Sequence, residues 1–207
     1  LTDVTGVQTC ALPIWPGGYI EASEIDPAVT EAAHAALGFP RDTAVKVFNM
    51  DARNRIDDLV AANRVAAEPI LFDCIFGDSI NDYSVPYHLT TREFNERLAA
   101  LLKPNGLYLL NLIDMRDSGL FLGSIVATCR ETFPHVYAFS CRNRTNDRDT
   151  FVVVSAREPL DVGDIPERIR ANYPEYVGAM VEPALLDEIA RSEEPRVGKE
   201  WRSWGSP

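Results

Sequence analysis

Apolar residues in this chain fall into short runs separated by polar stretches, and the period switches repeatedly between that of a strand and that of a helix. Tyr19–Ile25 (YIEASEI) reads as a short strand ending in acids. Asp26 followed by Pro27 is a helix start: the carboxylate accepts an orphan N–H, and proline's fixed φ suits the first turn. That helix is predicted to run through Leu37 and to stop at Gly38 and Pro40. Ala44–Met50 is the next strand, and Asp51-Ala52 leads into a helix ending near Asn63, with Ile56, Leu59 and Val60 as its apolar face. Ile70–Gly77 is near-continuously apolar apart from Asp73, the pattern of a parallel strand buried on both faces.

After an acidic loop, Thr90-x-x-Glu93 is a capping box for a helix to Leu102. Lys103-Pro104-Asn105-Gly106 is a turn and Leu107–Ile113 a strand; Asp117 or Ser118 then caps a helix ending near Phe133-Pro134. Val136–Cys141 and Thr150–Ala156, joined by a short polar loop, suit an antiparallel hairpin. Asp161–Arg191 offers one further helix, Pro183–Arg191. Strands alternating with helices, closed by a hairpin, predict an α/β fold: a doubly wound, Rossmann-like, mostly parallel sheet with a C-terminal antiparallel hairpin. Nothing upstream of Tyr19 reads as strand, glycine-rich turn and helix, so the first strand and Gly-rich loop of such a sheet are expected to be missing.

Residues 15–160 therefore read as the domain and 161–190 as an extension with one helix. Residues 1–14 lack any period, and 191–207 crowd two Trp among Arg, Gly, Ser and Pro; both read as non-native or disordered tails. A chain of 207 residues can bury a substantial core. Its net charge of -11 argues against a nucleic-acid partner and is compatible with a cationic substrate. No apolar run approaches the roughly 20 residues of a membrane helix. Cys10, Cys74, Cys129 and Cys141 have no metal or CxxC spacing, so free thiols and no metal are expected. Without a secretory signal, the expected location is cytoplasmic.

Three acids recur at strand ends: Glu24, Asp51 and Asp78. In an open α/β sheet the ligand crevice lies at the carboxyl ends of the strands, where a carboxylate accepts hydrogen bonds from ribose hydroxyls or an amine. One such acid alone reads as a cap for the helix that follows it, but three in consecutive β–α units point to a nucleoside site. The loop after Ile70–Gly77 adds Asp82, Tyr83, Tyr87 and His88. Here His88 reads as a structural hydrogen-bonding residue, and His34 as an exposed helix residue.

Ser23-Glu24-Ile25-Asp26-Pro27, Met50-Asp51-Ala52 and Phe72–Ile113 together resemble the spermidine synthase family of polyamine aminopropyltransferases, which share the class I S-adenosylmethionine-dependent methyltransferase fold. The stretch from Gly77-Asp78 through Ser84-Val85-Pro86-Tyr87-His88-Leu89-Thr90-Thr91 is its most specific part. It is similar to bacterial spermidine synthase-like proteins, some of which carry a membrane-helix region ahead of this domain. The resemblance implies that Glu24 holds the cofactor ribose hydroxyls and that Asp51 with Ala52 faces the adenine. It makes Asp78 the catalytic proton acceptor, with Asp82, Tyr83 and Tyr87 toward the substrate. The family's Asp-Ser-x-Asp-Pro loop here reads Asp78-Ser79-Ile80-Asn81-Asp82, with Asn81 at the second Asp and no Pro after it.

The implied reaction moves an aminopropyl group from decarboxylated S-adenosylmethionine to a small-molecule amine, a diamine such as putrescine. Alternatives are an S-adenosylmethionine-dependent methyltransferase, or a non-catalytic nucleoside- or polyamine-sensing domain derived from the same fold. The resemblance also admits a homodimer and a full-length form attached to a membrane. Whether the chain as it stands turns over is left open by the missing strand.

Overall fold

The computed structural model describes residues 17–79, 86–115, 119–141, 148–174 and 178–191. The tail read at 1–14, all of the second tail beyond Arg191, Cys10, Asn81, Asp82, Tyr83, Asp117 and Ser118 lie outside the described residues. The chain divides into two units, Leu1–Ala66 and Ala67–Pro207, so the single domain read at 15–160 spans parts of both.

The first unit is a parallel βαβ element. Strands β1 (Ile20–Ser23) and β2 (Val45–Phe48) pair from Ile20↔Val45 to Ser23↔Phe48, joined by helix α1 (Pro27–Ala36); helix α2 (Ala52–Asn63) follows. Helix α1 starts where the sequence places it, with the Asp26 side chain accepting the Ala28 N–H and Pro27 in the first turn. It ends because Gly38 takes a left-handed φ of 74°, open to a residue without Cβ. His34 is not simply exposed: its Nδ1 lies 2.8 Å from the Phe39 carbonyl and its ring stacks on Phe39 at 4.8 Å. Arg55 of α2 reaches both carboxylate oxygens of Glu21 on β1 at 2.7–3.0 Å and lies 3.8 Å over the Phe48 ring. A rigid guanidinium fork thus locks α2 onto the two strands.

The second unit is built on a five-stranded sheet in the order β3-β4-β6-β5-β7. Its strands are β3 (Phe72–Gly77), β4 (Leu102–Met115), β5 (His135–Ser140), β6 (Arg148–Ala156) and β7 (Ala179–Met180). The β3–β4 pairing is parallel, and β4–β6, β5–β6 and β5–β7 are antiparallel. Helices α3 (Arg92–Leu101), α4 (Leu120–Arg130), α5 (Ile165–Asn172) and α6 (Pro183–Arg191) complete the unit. Alternation along β4 sends Tyr108, Leu110 and Leu112 to one face. They are buried there, as are Leu98, Leu101, Leu122, Val126 and Phe133. A second cluster of Phe139, Val154 and Val162 gathers Leu109, Tyr137 and Val152. The architecture is α/β, with parallel β1–β2 and β3–β4 pairings and the antiparallel hairpin β5–β6.

Four local readings change. Strand β3 is not buried on both faces: Phe76 is 62% exposed, and among the described residues β3 pairs only with β4. Helix α3 is capped by Thr91, not Thr90. Thr90 is consumed by the preceding 3-10 turn, Tyr87–Leu89, where both its N–H and its hydroxyl donate to the Tyr87 carbonyl. The Lys103–Gly106 turn belongs to β4, bulging between the pairs Phe72↔Leu102 and Cys74↔Leu107. The extension holds two helices, α5 and α6, and the short strand β7, where one helix was read. Tyr, Pro and a Gly in that connector obscure the helical period, and a two-residue strand has none to show.

Candidate functional site

Gly77 ends β3, where an added side chain would crowd the side chains of β4. A Cβ at that position would stand 2.8 Å from Leu110 Cδ1 and 3.1 Å from the Tyr108 hydroxyl of β4. The two strands therefore run close together up to their last pair, Gly77↔Leu110, and the next residues along each are Asp78 and Asn111. Asn111 Nδ2 donates to Asp78 Oδ1 at 2.8 Å. An ionised carboxylate can only accept, so the amide must turn its NH2 toward it. The sequence reading did not single out Asn111, although it is the one non-aromatic polar residue in the apolar run Leu107–Ile113.

Tyr87 and His88 share the 3-10 turn, with their rings edge-on at 5.7 Å, and Tyr87 is 74% exposed. Tyr87 lines a groove of about 360 Å³ with Thr91, Arg92, Ser124 and Thr128, on which Asp78 does not border. Asp82 and Tyr83 lie outside the described residues.

At the far end of β4 the structure shows an acid the sequence reading passed over. Asp114 accepts the N–H groups of Met115 and Leu122 at 2.7 and 2.9 Å, capping helix α4, whose first turn opens from left-handed Gly119. Burial raises its carboxyl above the ordinary 3.8, against the lowering effect of those backbone donors. The folded protein therefore holds more protons than the unfolded chain in the window just above pH 3.8. Stability contributed by Asp114 is full below that window and falls as pH rises through it. Urea midpoints measured from about pH 3.5 to about pH 6 should therefore fall more, or rise less, with pH in the wild type than in Asp114→Asn. An unchanged slope in the variant would assign it to another group.

The described cysteines are not poised as nucleophiles. Burial pushes Cys129 up to about 11, and Cys74 and Cys141 are raised by burial with a smaller contribution from Asp73 and Asp149 respectively. All three are free thiols.

In the first unit, Glu24 follows β1 directly. Its N–H donates to the Phe48 carbonyl at 3.0 Å, and its Oε1 accepts the Asp26 N–H at 2.9 Å. Its Oε2 has no hydrogen-bond partner among the described residues, which suits an acceptor for a sugar hydroxyl. Asp51 lies just beyond β2 and caps α2 by accepting the Arg53 N–H at 2.8 Å, with Ala52 as the first helical residue. Both acids thus sit at carboxyl ends of parallel strands, and both also carry the capping bonds that compete with a ligand role. Among the described residues no group of three or more His, Cys, Asp or Glu could hold a metal ion, and no helix is long and apolar enough to cross a membrane.

This α/β fold is also that of solved spermidine synthase and methyltransferase structures. Of solved structures, a probable spermidine synthase from Corynebacterium glutamicum matches with a TM-score of 0.70 at 19% identity, covering 87% of this chain and 64% of that one. Human methyltransferase-like protein 13, in complex with SAH, matches with a TM-score of 0.61 at 24% identity, covering 92% of this chain and 80% of that one. Among curated proteins, the eEF1A lysine and N-terminal methyltransferase of Homo sapiens is 29% identical over 152 residues, 70% of this chain and 22% of that protein. The polyamine aminopropyltransferase of Vibrio vulnificus is 26% identical over 142 residues, 69% of this chain and 44% of that protein. The chain thus spans about a fifth to less than half the length of these curated relatives. No protein-family model matches it.

Proposed function

We propose that this chain belongs to a group-transfer enzyme that alkylates an amine from a sulfonium nucleoside of the S-adenosylmethionine type. The finer reading is aminopropyl transfer from decarboxylated S-adenosylmethionine to a diamine such as putrescine. The observation that carries it is Asp78, a carboxylate set immediately past the carboxyl end of β3 with one oxygen held and the other without a partner among the described residues. The likeness to a polyamine aminopropyltransferase and to spermidine synthases supports it.

A protonated amine has no lone pair to attack with. Asp78 accepts the amine's proton, and the freed nitrogen pair forms the new C–N bond. The sulfonium supplies the leaving group: the C–S pair returns to sulfur, leaving a neutral thioether, and the alkylated amine carries the positive charge. Glu24 would bind the ribose hydroxyls through the oxygen not bonded to Asp26, and Asp51 with Ala52 would face the base. Tyr87, Asp82 and Tyr83 are the proposed contacts to the amine chain. The net charge of -11 favours a cationic acceptor by long-range attraction.

Methyl transfer is the second reading, favoured by the 29% identity to the eEF1A methyltransferase. Mass analysis of products from a diamine, incubated separately with S-adenosylmethionine and its decarboxylated form, distinguishes them. A gain of an aminopropyl group only with the decarboxylated donor is expected. A gain of methyl would select the second reading, and nucleoside binding without product would point to a sensing domain. Localisation in the cytoplasm, a homodimer and a membrane-attached full-length form belong to the same proposal.

A further inference from the structure

Asn111 occupies a place where strand alternation calls for an apolar side chain. It shares its face of β4 with Leu109 and Ile113, and its cross-strand partner on β6 is Val152. That face is only half-buried, at Leu109, Asn111 and Ile113 alike, so an amide there costs little. It is used once, by Nδ2 on Asp78 Oδ1, and its own carbonyl has no partner among the described residues.

We propose that Asn111 is a positioning residue for Asp78, resting on the reading of Asp78 as the proton acceptor. A carboxylate just past a strand end can rotate about its side-chain torsions. The 2.8 Å bond from β4, a strand with pairing on both edges, restrains the carboxylate at one oxygen. It engages Oδ1 and leaves Oδ2 for the amine proton. In-line transfer depends on holding nitrogen, carbon and sulfur within a fraction of an ångström, and the base that delivers the nitrogen must be held as well. Asn111→Leu removes the donor while completing the apolar face, so the fold should tolerate it. Asn111→Ala, which only deletes atoms, serves beside it.

Both variants should keep the wild-type melting temperature within a few degrees, and nucleoside affinity within about twofold. They should lose about 10–100-fold in kcat with little change in amine KM, since an interaction that acts on the reacting geometry falls on kcat. The reciprocal swap Asp78→Asn with Asn111→Asp restores an amide–carboxylate pair between the same positions. It should keep the wild-type melting temperature without restoring turnover, because the carboxylate now sits on the wrong strand. Asp78→Asn alone separates the two ideas. If it abolishes transfer while Asn111→Leu and Asn111→Ala keep wild-type kcat, the positioning role is wrong and the base assignment stands. If Asp78→Asn retains transfer, or the wild-type chain transfers neither group, both fall.

Discussion

Replacing Asp78 with Asn is expected to lower turnover by about 10²–10⁴-fold, the usual worth of a general base, while leaving nucleoside affinity within about twofold. The substitution is nearly isosteric, and the carbonyl oxygen of the introduced amide can still accept the Asn111 N–H that now reaches Asp78 Oδ1 at 2.8 Å. The local structure therefore survives and only the proton acceptor is lost. An amide cannot take a proton from an ammonium group near neutral pH, so the amine stays charged and non-nucleophilic. Steady-state turnover with a diamine, paired with calorimetric titration of methylthioadenosine, reads the two effects separately. Raising the pH toward the amine's own pKa should partly rescue the variant by supplying neutral amine from solution. Turnover that survives undiminished would move the base to another residue. A nucleoside affinity that collapses with it would mean that Asp78 binds and does not act.

The second large effect is expected away from Asp78, at Gly123, one turn into helix α4. Alanine is about 1 kcal/mol better than glycine in a helix interior, so propensity alone predicts that Gly123→Ala stabilises. Tertiary packing reverses the sign. A Cβ at Gly123 would overlap the Ile189 carbonyl oxygen and lie 2.8 Å from its carbon, both backbone atoms of α6. Backbone cannot rotate away as a side-chain tip can, so α6 must move off α4. Moving it strains the Arg130–Asp187 ion pair at 2.7 Å and uncovers Leu186 and Ala190, which are buried on α6. Overpacking of this kind costs roughly 1–3 kcal/mol or more, and Gly123→Val should cost more than Ala. Chemical denaturation should show the loss, and hydrogen exchange should place it in α6 before the sheet. Ser124→Ala, one residue along, is the control: its hydroxyl only returns a bond to the Leu120 carbonyl. A Gly123→Ala chain as stable as wild type would show that the two helices are not held at this separation.

These two residues mark the line between what is legible in one dimension and what is not. Asp78 could be placed at a strand end because that position is local: an acid directly after an apolar run, in a unit that alternates strand and helix. Glu24 and Asp51 were legible for the same reason, and so was their ambiguity. Both do form the capping bonds that a bare acid before a helix predicts, to Asp26 and Arg53. The start of α1, the extent of α2, the hairpin β5–β6 and helix α6 likewise follow from caps, periods and turn residues within a few positions of each other.

What the chain by itself determined, then, is the alternation of elements and the acids at strand ends, since these depend on neighbours in sequence. What only the tertiary structure decided depends on which strand lies beside which. The parallel register Gly77↔Leu110 is what brings Asn111 to Asp78 across 33 residues. The placement of α4 beside the end of β4 is what lets Asp114 cap a helix whose expected caps lay nearer in sequence. The docking of α6 is what makes Gly123 indispensable. Hydrogen bonds and van der Waals contacts act over a few ångströms of space, and a sequence states only distance along the chain.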